Sequence, residues 1–117
     1  IDRVADLRER DLPAVPVVDF EGLVRDLWSH PDDAPAWGES NAAARARGLA
    51  AVRGLLARHE GQHLVAATHG NLLALLLNGL DPAYGFDFWR GLSFPDVYRV
   101  SFDTVARVSI SRVWRQP

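Results

Sequence analysis

The chain has 117 residues, 48% of them hydrophobic, which suits one domain around one buried core. Its 13 basic residues, all arginine, are scattered among 15 acidic ones for a net charge of -2, so it lacks the basic stripe that follows a nucleic-acid backbone. With no cysteine there is no disulfide framework or thiolate metal site, and the longest apolar stretch, residues 72–77, is far shorter than the ~20 residues of a membrane-spanning helix. The sequence therefore reads as a soluble, cytoplasmic single domain over residues 1–117, with no nucleic-acid or membrane partner. It starts at Ile1 with no initiator methionine and no signal or transit pattern, from which a cut N-terminus is expected.

Residues 2–10 are charged, with apolar positions at Val4, Ala5 and Leu7, and Pro13 and Pro16 stop any helix that begins there. A short helix or irregular loop is expected. Residues 20–28 place Phe20, Leu23, Val24 and Leu27 at helical spacing, predicting an amphipathic helix with its apolar stripe toward the core. Pro31, Asp32, Asp33 and Pro35, before Gly38, predict a surface loop over 30–38.

Ser40 offers an N-cap oxygen and Glu39 suits the positive end of a helix dipole, so a helix is predicted to run to about Arg58. Leu49, Val52, Leu55 and Leu56 form its apolar face, and Gly48 and Gly54 imply close packing. Gly61 ends it. Residues 64–67, an unbroken apolar run, predict a strand buried on both faces and hence a parallel sheet. After Thr68-His69-Gly70-Asn71, residues 72–80 read as a buried helix ended by Asp81 and Pro82. Residues 84–92 predict a short aromatic-rich helix. Residues 97–102 and 105–114 predict an antiparallel hairpin turning at Asp103 and Thr104, and its edge is one through which a homodimer could pair.

The strand, tight turn and helix around His69 form the strongest local signal. Ligands of α/β sheets bind at the carboxyl ends of strands, and the first N–H groups of the next helix attract anions. His69 would point into such a site, with the N–H groups of Gly70 and Asn71 holding phosphate oxygens; the plainer alternative is a histidine bonding a neighbouring loop. His59-Glu60-Gly61-Gln62-His63 matches the H-E-x-x-H zinc pattern, but Gly61 falls where the helix should end, so no metal site is expected. His30, Glu9, Glu21 and Glu39 read individually as solvated groups, and Tyr84, Phe86, Phe88 and Trp89 as core or pocket wall.

Taken in order, Leu7-Arg8-Glu9-Arg10, Gly38-Glu39-Ser40-Asn41, Thr68-His69-Gly70-Asn71, Tyr84-Gly85-Phe86-Asp87-Phe88-Trp89 and Pro95-Asp96-Val97-Tyr98 resemble the histidine phosphatase superfamily, in particular its phosphoglycerate mutase-like members. The resemblance implies an α/β fold, a three-layer α/β/α sandwich on a mostly parallel sheet. It implies that His69 is the second histidine of the pocket, Glu9 the proton donor to the leaving group, and Gly70 and Asn71 the lining of the phosphate site. The family's Arg-His-Gly motif, whose histidine attacks phosphorus, is not found in this sequence. The chain is accordingly expected to be the C-terminal two thirds of such a domain, truncated at its N-terminal strand. The implied activity is hydrolysis of a phosphomonoester on a small phosphorylated metabolite through a phosphohistidine, with no cofactor. The alternatives are mutase-type phosphoryl transfer and a non-catalytic phosphate-binding module.

Overall fold

In the computed structural model, residues 1–12, 18–35, 38–103 and 107–117 are described. Pro13 and Pro16, Trp37, and the hairpin residue Thr104 lie outside them. The chain opens with a single 3-10 turn, Ala5–Leu7, in the segment expected to be a short helix or loop. Helix α1 covers Phe20–Ser29. Asp19 starts it by accepting a hydrogen bond from the Gly22 N–H at 2.8 Å, and Val24 and Leu27 are its buried stripe.

Helix α2, Asn41–Arg58, is capped by the Ser40 hydroxyl, which accepts from the Ala43 N–H at 3.1 Å. It ends at His59, two residues before Gly61, whose positive φ of 74° is the left-handed conformation that glycine adopts at least cost. Helix α3, Gly70–Leu80, is the centre of the core. Leu72, Leu75 and Leu76 pack with Ala44 of α2 and with Leu7, while Val4, Trp28, Leu49 and Val52 cover the cluster. The glycine at 48 is what lets α2 and α3 approach so closely. A Cβ there would lie 2.8 Å from Leu76 Cδ2 and 3.2 Å from Leu72 Cδ1.

Helix α4 is the short aromatic segment Phe86–Arg90. Strands β1, Tyr98–Phe102, and β2, Val108–Arg112, pair antiparallel with Tyr98 opposite Arg112 and Phe102 opposite Val108. No helix among the described residues is long and apolar enough to cross a membrane.

One expectation needs correction. Residues 64–67, predicted as a strand buried on both faces, form neither strand nor helix, and Val65 is fully exposed at 102%. A strand exists only by hydrogen bonding to a neighbour. Among the described residues the only sheet is the two-stranded β1–β2 pair, so nothing lies beside this run to pair with it. The architecture described is thus mixed helix with a small two-stranded antiparallel sheet, compatible with the expected α/β class.

Leu72 is completely buried. Leu72→Ala should lower the unfolding free energy of this chain by about 2–5 kcal/mol, whereas Val65→Ala should change it by no more than about 0.5 kcal/mol. Denaturant titration measures both; equal losses would contradict this placement of the core.

Candidate functional site

The site is assembled by a segment with almost no secondary structure of its own. Residues 6–11 cross the start of α2, and the Arg47 guanidinium on that helix holds them by their backbone. Its Nη1 donates to the carbonyls of Asp6 at 2.8 Å and Arg8 at 3.0 Å, and its Nη2 to that of Glu9 at 3.0 Å. The same guanidinium grips Glu39 through two bonds, Nε to Oε2 at 3.1 Å and Nη2 to Oε1 at 2.5 Å. Glu39 Oε1 in turn accepts from the Asp11 N–H at 2.9 Å, and the Glu39 N–H donates to the Asp11 carbonyl at 3.0 Å.

Arg10 completes the clamp from inside. It is buried, and its two terminal nitrogens donate to the Asn41 side-chain oxygen and the Glu39 carbonyl. Burial lowers its pKa, against the attraction of Glu39 and Glu9. For Glu39, burial pushes the carboxyl upward, but the hydrogen bonds from Arg47 and the Asp11 amide outweigh it and hold the group below the usual carboxylate range. Arg47 is correspondingly raised, chiefly by its bonds to Glu39.

What the clamp delivers is the Glu9 carboxylate. Glu9 Oε1 accepts from the Leu72 N–H at 2.8 Å and from the Arg10 N–H at 2.9 Å, while Oε2 accepts from the Asn71 N–H at 3.1 Å. These are two of the free amide donors at the N-terminus of α3, where an anion is favoured by the helix dipole. His69 is the N-cap residue of that helix and makes no side-chain capping bond, so Glu9 caps it from 60 positions away in sequence. Thr68 ties the same junction together, its hydroxyl donating to the Leu7 carbonyl at 2.7 Å.

His69, Glu9, Gly70 and Asn71 are therefore brought to one helix end, but not onto one surface. Glu9, Gly70 and Asn71 line a cleft of about 330 Å³ together with the aromatic side chains of Phe20, Trp89 and Phe94. His69 opens onto a larger groove of about 890 Å³, with Leu7, Leu55, Leu64 and Val65. The Asn71 N–H, expected to hold a phosphate oxygen, donates to Glu9 instead; a carboxylate is itself an anion and takes the position the helix end offers.

His59 and His63 do not share a helical face, since α2 ends at Arg58 with His59 as its cap. Among the described residues no group of three or more histidines, cysteines or acids stands close enough to hold a metal ion.

A second ion pair fixes the other side of the cleft. Arg112 on β2 meets Asp96 with Nε at 2.9 Å from Oδ1 and Nη2 at 3.2 Å from Oδ2, and Asp96 also accepts from the N–H groups of Ser93 and Val97. Burial pushes the Asp96 carboxyl up, but these bonds prevail and hold it below its ordinary value. Phe94 sits in the loop so pinned. A Cβ on Gly70 would lie 3.0 Å from its ring, so glycine at 70 leaves room for the aromatic beside the helix end.

The sequence pattern of the histidine phosphatase superfamily (branch 1) matches residues 3–106, and the chain belongs to that superfamily. Its members carry out phosphoryl transfer or hydrolysis and are generally enzymes. No curated protein and no solved structure matches the chain.

Arg47 and Arg112 were not singled out by sequence reasoning, and Arg10 and Asn41 entered it only as members of the quoted motifs. The signal for Arg47 is faint: an arginine within the small-residue first half of α2. Because Glu39 and Asp96 both have depressed pKa values, the stability they contribute is complete above their unfolded pKa near 4 and is lost as pH falls through their lower folded values. Glu39→Gln should flatten the decline in stability measured as pH falls below about 4. Arg47→Ala, which strands three carbonyls and the Glu39 carboxylate, should lower stability by about 2–4 kcal/mol at pH 7. An Arg47→Ala chain as stable as wild type would remove the clamp from the account.

Proposed function

We propose that this chain contributes most of the pocket of a phosphomonoester hydrolase that works through a phosphohistidine. The observation that carries the reading is Glu9, held by its carboxylate on the amides of the helix that His69 opens. It puts a carboxyl group and an imidazole at one anion-attracting helix end.

In the first step an imidazole nitrogen attacks phosphorus in line, the N–P bond forms and the P–O ester bond breaks. The departing alkoxide takes its proton from Glu9. The Gly70 N–H stabilises charge on the phosphoryl oxygens, with the His69 imidazole acting from the adjoining groove, while the Asn71 and Leu72 N–H groups position Glu9. Water then attacks phosphorus, giving its proton to Glu9 as the N–P bond breaks and phosphate leaves. Transfer to a second substrate oxygen in place of water would make the reaction a mutase step.

The attacking imidazole is assigned to a segment outside these 117 residues, which hold no Arg-His-Gly sequence. The exposed run 64–67 and the apolar groove beside it are where a strand bearing that histidine would pair, and the pairing would begin the parallel sheet of a three-layer α/β/α domain. His69 follows this run and lines the same groove, so a histidine at the carboxyl end of such a strand would arrive beside it.

The full-length encoded protein, given a radiolabelled phosphomonoester, should accumulate an acid-labile, base-stable phosphohistidine. His69→Ala should reduce turnover by at least about a hundredfold, and Glu9→Gln by about 10²–10⁴-fold. The 117-residue chain alone should neither label nor turn over. Hydrolysis by that chain at the full-length rate, or normal turnover after His69→Ala, would overturn the assignment.

A further inference from the structure

The 330 Å³ cleft beyond Glu9 is large enough for a small organic group, and its walls differ in character from its polar end. Phe20, Trp89, Leu92 and Phe94 line it. Two of these are large apolar side chains left open to solvent, Phe94 at 80% and Phe20 at 44%. The wall is also braced. The Phe20 and Trp89 rings lie 6.1 Å apart, and Trp89 stacks on Phe86 at 5.7 Å with 30° between planes. Opposite them, the Asp96–Arg112 pair fixes the loop that carries Phe94.

The charges point the same way. Two carboxylates, Glu9 and Glu21, line the cleft against one guanidinium, Arg90. Arg90 is already 3.5 Å from Asp87 and lies over the Phe86 ring at 5.8 Å. A second anionic group on a bound molecule would find beside it Glu21, 3.7 Å from Arg25, and a cation that is already engaged.

We propose that this cleft receives the alcohol portion of the substrate and selects esters of uncharged aromatic or bulky apolar alcohols over those with a second anion, such as phosphoglycerate. The proposal rests on the phosphomonoester reading given above. It gives Phe94 and Phe20 the role of opposed walls, with the ester oxygen at the Glu9 end, where its proton is supplied. An aromatic ring placed between them exchanges exposed apolar surface for ring-on-ring contact. A carboxylated leaving group gains neither and is repelled by Glu21.

The test compares phenyl phosphate, glycerol 2-phosphate and 3-phosphoglycerate on the full-length protein, by calorimetric binding and by turnover. Phenyl phosphate should show kcat/KM at least about tenfold above the other two. Phe94→Ala and, separately, Phe20→Ala should each raise its KM about tenfold with a smaller effect on kcat, and should raise the KM for glycerol 2-phosphate several-fold less. Both side chains are substantially exposed, so neither change should threaten the fold. Equal or better use of 3-phosphoglycerate, or variants that weaken all three esters alike, would overturn the inference while leaving the hydrolase reading intact. Preferential binding of phenyl phosphate with no ester turned over would instead support the cleft assignment and reject the hydrolase.

Discussion

The contact between the Arg47 guanidinium and the segment 6–11 is the constraint on which the rest of the site depends. That segment has one 3-10 turn and no strand partner, so nothing in its local structure would fix the direction of the Glu9 side chain. A planar fork of donors on a rigid helix can do so, because it bonds three carbonyls of the segment and a carboxylate at once. Glu39 is shared between that guanidinium and the Asp11 amide, and Arg10 is buried against Asn41 and the Glu39 carbonyl. Losing one member would leave the others as buried polar groups without partners, a cost larger than the value of any single bond.

From that anchoring follows the state of the helix end. α3 begins with an N-cap histidine whose ring makes no capping bond, which leaves amide donors for other acceptors. Glu9 takes those of Asn71 and Leu72. The helix end is stabilised by the Glu9 carboxylate, so anything that anchors Glu9 also holds the first turn of α3, and through Leu72 the core. The site and the core are therefore not separable: Leu7 packs on Leu72 and Leu75 only two residues before Glu9.

Much of this was legible in the sequence, and the parts that were not share a cause. Ser40 as a cap, the stop at Gly61, the amphipathic spacing of Phe20 to Leu27 and the strand run 97–102 all act over a few residues, and the corresponding elements formed with ends shifted by a residue or two. The closeness implied by Gly48 is also present, against Leu72 and Leu76. The run 64–67 misled because apolar composition reports what a segment would bury if neighbours existed, and says nothing of whether they do. Glu9 and Asn71 were each identified as site residues, yet their mutual bond was invisible, since it joins positions 62 apart in sequence. Arg47 and Arg112 were missed for the same reason. Their acidic and carbonyl partners are set by how the elements pack, and no spacing along the chain encodes that.

The central claim is that Arg47 positions Glu9 as the acceptor for the first turn of α3, and amide hydrogen exchange at Asn71 and Leu72 tests it most directly. Both amides should be protected in the wild-type chain and should exchange much faster in Glu9→Ala and in Arg47→Ala, with the interior of α3 from Leu75 to Leu77 little changed. Protection at Asn71 and Leu72 that is unaltered in both variants would contradict the account, because those amides would then owe nothing to Glu9 or to the residue said to hold it.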